Sequence, residues 1–278
     1  MRNIKIVTDS SSDILTLDGV AFESAPLKIV TADKIYTDDA TLDVSAMVND
    51  LLVYKGKSST SCPNPDDYLR AFGDADEVFC ITITGSLSGS YNSALVAKAT
   101  YEAENEGRRV YVLNSLSTGP EIALIIERMR SLILDGRTFD EIVTEVEEYS
   151  RHTGLLFMLE SMRNLANNGR VSPLAAKLAG VLGIRALGRA SEKGELEMLS
   201  KPRGERNALL ELARQLRLNG YSGGALRIAH ALNEKTANAL AELAKAELGA
   251  TDVRVYSLRG LCSFYAERGG LIVGFEKG

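Results

Sequence analysis

Residues 77–105, EVFCITITGSLSGSYNSALVAKATYEAEN, decide the fold. EVFCITIT is a nearly unbroken apolar run, the pattern of a strand buried on both faces in a parallel sheet. It breaks at GSLSGS, where glycine and serine end the strand, and YNSALVAKATYEAEN continues as a helix. The same order recurs on both sides. NIKIVTDSSSD is a strand running into a hydroxyl-rich loop, and APLKIV is a second short strand. TADKIYTDDATLD reads as a charged loop. VSAMVNDLLVYKG reads as a helix with Val44, Met47, Val48, Leu51 and Leu52 on one stripe, ended by Gly56. DDYLRAF is a helix, RRVYVLNS a strand, and EIALIIERMRSLILDG and TFDEIVTEVEEYSRH are helices. Strand then helix, repeated, predicts a parallel sheet covered on both faces.

From Thr153 the pattern changes. GLLFML is a short strand, ESMRNLANNGRVS a helix stopped by Asn-Asn-Gly, and PLAAKLAGVLG a small-residue helix. IRALGRASEKGELEML reads as a hairpin turning at Glu192-Lys193-Gly194. RGERNALLELARQLRLNG and NEKTANALAELAKAELG are helices around the strand ALRIAHAL, and TDVRVYSLRG and GGLIVGFEKG are closing strands. The expected architecture is two α/β domains. Residues 1–153 form a Rossmann-like parallel-sheet layer, and residues 154–278 form a smaller mixed-sheet domain, with no Gly/Pro/Ser-rich joint between them.

The 278 residues carry a net charge of -5, which argues against nonspecific nucleic-acid binding and against more than transient contact with an anionic membrane. No apolar run is long enough to span a bilayer. MRNIKIVTDSSSD reads as an alternating strand rather than a signal peptide. Cys62, Cys80 and Cys262 are scattered, with no Cys-x-x-Cys pair, which predicts a reducing cytoplasmic setting and no metal site. Only two histidines, His152 and His230, are present to serve metal or triad chemistry.

In sheets of this kind ligands sit at the carboxyl ends of strands, in the loops that open the next helix. Four such loops carry hydroxyls: TDSSSD, STSCPNP, TGSLSGSYNS and NSLSTG. Each serine or threonine there either caps its helix or donates to an anion drawn to the helix start. Phosphate-loop order G-x-x-x-x-G-K-[ST] is absent, and GSLSG places leucine where a hydrolase elbow needs serine. Nothing in the sequence places His152 or His230 beside Ser88. The acidic stretch around Asp33, Asp38, Asp39 and Asp43 lacks calcium-loop order and reads as a solvated loop. Arg170, just past a helix end, is favoured there electrostatically, and it also fits a pocket rim where a guanidinium meets a carboxylate or phosphate.

Taken together, TDSSSD, APLKI, TSCPNP, SLSGSYNSA, LNSLSTG, NLANNGRVS, the R-x-L-x-x-x-x-x-x-G-E stretch from Arg185 and the Arg203-Gly204 pair resemble the DegV family over nearly the whole chain. The resemblance implies a two-domain protein that binds a long-chain fatty acid, needs no cofactor and is not itself an enzyme. Such a protein presents the acyl carboxyl group to a separate kinase, which makes an acyl phosphate for phospholipid synthesis. It also implies carboxylate contacts at Thr60 and Ser88, with Gly89 letting the backbone approach, while Ser61 or Asn64 serves the turn or the cap. The family's G-x-H-x-G-P-G stretch is replaced here by SFYAERGG, which puts Tyr265 at the histidine position and Arg268 at the proline. A phenol still donates a hydrogen bond but does not become a cation near neutral pH. The alternatives are a small-molecule kinase or phosphotransferase subunit related to dihydroxyacetone kinases, and a lipid-binding regulator without a kinase. The missing nucleotide loop and scarce histidine count against the first.

Overall fold

The computed structural model describes residues 2–172 and 183–278. The small-residue helix expected at 173–183 lies, but for its last residue, outside the described residues.

Four parallel strands form the first sheet, in the order β2-β1-β6-β7: β1 (Ile4–Asp9), β2 (Ala21–Ala25), β6 (Glu77–Thr82) and β7 (Arg109–Asn114). Its apolar runs are explained by cover on both sides. Val7, Val78 and Cys80 pack on α2 (Pro65–Phe72) and α3 (Ser90–Glu104) through Tyr68, Phe72, Ala94 and Ala97. Ile6, Phe79 and Ile81 pack on α4 (Gly119–Leu134) and α5 (Phe139–Arg151) through Ile122, Ile126, Ile142 and Val146.

A second sheet has six strands, in the order β10-β9-β8-β13-β11-β12: β8 (Thr153–Leu159), β9 (Ala186–Ala190), β10 (Leu196–Ser200), β11 (Tyr221–His230), β12 (Asp252–Ser257) and β13 (Leu271–Lys277). Only β11 and β12 run parallel; the other neighbours are antiparallel. One face is covered by the helices Glu205–Leu218 and Glu234–Leu248. Its other face turns toward the first sheet. Gly274 of β13 lets α4 lie directly against the strand, because a Cβ there would stand 2.4 Å from the backbone of Pro120. Helix α4 is thus packed between the two sheets.

A third, three-stranded sheet joins β3 (Lys28–Val30) to β4 (Ile35–Thr37) and β5 (Ser59–Ser61), both antiparallel. Strand β2 of the parallel sheet is not expected from the sequence, whose second strand, APLKIV, is β3 of this antiparallel sheet, and neither β4 nor β5 is expected. Both are three residues long, and neither Ile-Tyr-Thr nor Ser-Thr-Ser is long enough to show a period. In helix α1 (Val44–Val53) the buried stripe is Met47, Val48 and Leu51, while Leu52 faces solvent. Val44 packs, partly buried, against the same cluster, so four of the five expected stripe positions share a face, and Leu52 falls a step beyond it.

The acidic stretch also corrects its reading as a solvated loop. Asp39 and Asp43 serve local turns, Asp43 as the cap of α1. Asp38, however, is buried and accepts 2.8 Å hydrogen bonds from the N–H groups of Gly260 and Leu261. It caps, across the chain, a short helix at Gly260–Ala266 that is not expected from the sequence between its two closing strands. Burial raises its pKa, against the pull of those two N–H bonds.

Candidate functional site

The loops at the strand ends divide into two kinds. TDSSSD turns inward as a 3-10 turn at Ser10–Ser12, with all three serines buried. The Asp9 carboxylate accepts from Ser11, from Ser90 Oγ at 2.6 Å and from the Ile83 N–H at 2.9 Å. Burial pushes its pKa up in spite of these bonds. NSLSTG behaves similarly. Ser117 and Thr153 donate to the buried Glu121 of α4, whose pKa burial also raises.

TSCPNP and GSLSGS, together with Leu116, Ser117 and Thr118 of NSLSTG, face a cavity of about 300 Å³ between the sheets, within the size range of small-molecule sites. Its walls are largely hydrocarbon: Leu155, Phe157 and Leu159 of β8, Leu27 and Ile83 from the first half, and Leu261 near the C-terminus. Thr60, Ser61, Cys62, Ser88 and Gly89 supply a polar wall.

At that wall Thr60 Oγ1 lies 2.8 Å from the Tyr265 hydroxyl. One proton is shared between the two oxygens, so the other remains to donate outward. Thr60 stands on strand β5 and Tyr265 on the helix Gly260–Ala266, so elements far apart in sequence build the pair. Burial raises the Tyr265 pKa, opposed by the Thr60 hydrogen bond and the charge of Arg170. The phenol therefore stays a neutral donor.

Ser88 Oγ accepts from the Ser90 N–H at 3.3 Å, which gives α3 a partial cap and leaves the Ser88 proton to donate. Gly89 stands at the N-cap of α3, and a Cβ there would stand 3.2 Å from Cys62 Sγ. Asn64 caps α2 in a reciprocal capping box with Asp67. Of the two residues expected at the turn or cap, Asn64 takes it, and Ser61 lines the cavity instead.

Arg170 follows the short helix Arg163–Asn167, where Gly169 turns left-handed and the Arg170 N–H bonds the Leu165 carbonyl. Its side chain crosses to the opposite loop. Nε donates to the Leu87 carbonyl at 3.2 Å, and the guanidinium lies 5.9 Å from the Tyr265 ring centre. Thr60, Ser88, Gly89, Tyr265 and Arg170 thus border one cavity. Neither histidine does. His152 lies at the end of α5, and His230 accepts from the Asn233 N–H at the end of β11.

Sequence reasoning missed Thr118 and Cys262, which meet at 3.4 Å on the cavity wall. Thr118 had a visible signal, since it belongs to the NSLSTG loop. Among the described residues no group of three or more His, Cys, Asp or Glu is placed to hold a metal ion, and no helix is long and apolar enough to cross a membrane.

The sequence model of the DegV family, described as "Uncharacterised protein, DegV family", matches residues 3–277. The chain belongs to the DegV family. A DegV domain-containing protein of Streptococcus pneumoniae is 41% identical over 276 residues, covering 98% of each chain. Among solved structures, a DegV family protein from Eubacterium eligens loaded with heptadecanoic acid matches at 44% identity and a TM-score of 0.97, covering 99% of this chain and 100% of that one. The Streptococcus pneumoniae Fatty Acid Kinase (Fak) B3 protein loaded with linoleic acid matches at 40% identity and a TM-score of 0.97, with the same coverage. A DegV family protein from Ruminococcus gnavus, refined with vaccenic acid, matches at 30% identity and 0.90, with the same coverage. The DegV fold expected from the sequence, with its parallel and mixed sheets, is the one observed.

Proposed function

We propose that this DegV-family protein binds a long-chain fatty acid in the cavity between its sheets and presents the carboxyl group to a separate kinase. The observation that carries this reading is one largely apolar cavity bordered together by Thr60, Ser88 and Tyr265, with Thr60 and Tyr265 hydrogen-bonded to each other. The acyl-loaded DegV structures and the kinase in the name of one of them support it.

A C16–C18 tail brings about fourteen to sixteen methylenes, and at roughly 0.8 kcal/mol each its burial offers on the order of 11–13 kcal/mol before the costs of association. The tail supplies affinity and the head group supplies orientation. A carboxylate taken from water needs donors. In this reading it finds the free proton of the Thr60–Tyr265 pair, the Ser88 hydroxyl and the start of α3 at Gly89, with Arg170 at the rim. The protein acts as a carrier, and the partner supplies nucleotide and phosphoryl transfer. It works in the cytoplasm, and its N-terminal unit of residues 1–153 bears the head-group loops while residues 154–278 cover the tail.

Native mass spectrometry of the protein purified from cells tests the reading. A co-purified C16–C18 fatty acid, released by organic solvent, is expected, together with acyl phosphate formation when a fatty acid kinase and ATP are added. A bound nucleotide or sugar and no lipid would reject it in favour of a small-molecule kinase subunit.

A further inference from the structure

The floor of the cavity is one face of the second sheet, and its two neighbouring strands are built oppositely. The cavity-side positions of β8 are large: Leu155, Phe157 and Leu159. Those of β9 are small: Ala186, Gly188 and Ala190, and Phe157 is paired directly with Gly188. Gly188 sits in regular strand, outside the left-handed backbone positions, so backbone conformation does not demand glycine there. The Phe157 ring on the same face and the Glu197 carbonyl of β10 do. A Cβ on Gly188 would stand 2.2 Å from Phe157 Cζ and 2.8 Å from Cε2. The ring therefore lies flat over the glycine, on the sheet, rather than standing up into the cavity. On the other side of the pair stands Met198 of β10, in register with Gly188.

Aromatic rings cover strand glycines for stability alone, and Phe275 does so over Gly154 in this protein. Phe157 differs because its ring is also cavity wall. Whatever lifts or removes it changes the room left for a tail.

We propose that the Phe157–Gly188 pair sets the acyl-chain length the protein accepts, with Gly188 as the positioning residue that keeps the ring out of the tail's path. This inference rests on the fatty-acid reading above. One extra methylene admitted or excluded is worth about fourfold in affinity. The quantity to measure is the ratio of Kd values for myristate and stearate, on the full-length protein stripped of lipid.

Phe157→Leu frees room and should move the ratio toward stearate by about fourfold or more. Gly188→Ala raises the ring and should move it toward myristate by at least as much. A Cβ at Gly188 would also press on the Glu197 carbonyl, 2.4 Å away. The double variant Gly188→Ala/Phe157→Leu keeps that pressure and removes the ring, so it should recover stearate binding if the ring is the agent. Should Gly188→Ala not fold, Phe157→Leu decides alone. A wild-type protein that binds neither acid overturns the fatty-acid reading and this inference with it. A wild-type protein that binds both, with a ratio unchanged in Phe157→Leu, overturns the inference alone.

Discussion

The loop after β1, TDSSSD, and the loop after β6, GSLSGS, are alike in composition and position, yet one is shut and the other opens to the cavity at Ser88. The first carries its own acid. Asp9 draws Ser11 and the distant Ser90 into a buried network with the Ile83 N–H. The second is divided: its last serine, Ser90, is taken by that same Asp9, whereas Ser88 faces the cavity with a proton to give. In NSLSTG, Glu121 takes Ser117 while Thr118 stays on the cavity wall, and TSCPNP borders the cavity at Thr60, Ser61 and Cys62. A hydroxyl at a strand end is thus a ligand donor when no neighbouring carboxylate has already taken it.

The sharpest way to break this contrast is Asp9→Ala. It strands the buried N–H groups of Ser11 and Ile83 and the buried hydroxyls of Ser11 and Ser90, and it should cost about 3 kcal/mol or more of stability, read by denaturant or thermal unfolding. A variant as stable as wild type would mean that the closed loop is held by something else. On the open side, Thr60→Val and Ser88→Ala should each weaken fatty-acid binding by about 1–2 kcal/mol in titration calorimetry, with stability within about 0.5 kcal/mol of wild type. Unchanged affinity in both would remove them from the head-group site. Tyr265→Phe breaks the hydroxyl pair and should weaken binding by about 1 kcal/mol.

The smallest expected effect is on pH dependence. Asp13 accepts from the Arg259 N–H at 2.7 Å, and burial holds its pKa well above the ordinary aspartate value. Above the unfolded value near 3.9, the folded state therefore binds the extra proton. Its contribution is full below that value and is lost as pH rises through the folded pKa. Asp13→Asn stays neutral, so its stability relative to wild type should rise with pH, measured by unfolding at a series of pH values. A constant difference across the series would show that Asp13 does not titrate differently on folding.

Much of this was legible in the sequence because it is periodic or punctuated. EVFCITIT announces a strand covered on both faces, and Phe79 and Ile81 do face one helix layer while Val78 and Cys80 face the other. Asn64 ahead of Pro65 and Asp67 was readable as a cap. What was not legible depends on long-range pairing. Ser59–Ser61 become a strand only because Lys28–Val30 lie beside them. Asp38 is buried only because a helix more than two hundred residues later starts against it. The Thr60–Tyr265 contact has the same origin, since each residue shows its chemistry in sequence and neither shows its partner. The resemblance to the DegV family placed these residues on one site, and the fold brings them to one cavity.

The central claim is that one wall of the cavity holds a carboxylate while the rest holds its tail. A crystal structure of the protein grown with palmitate tests it most directly. The account predicts the carboxylate oxygens within hydrogen-bonding distance of Thr60 Oγ1 or the Tyr265 hydroxyl and of Ser88 Oγ, with the chain running along Leu155, Phe157 and Leu159. An empty cavity at saturating palmitate, or a chain bound with its carboxylate at the far end, would contradict it.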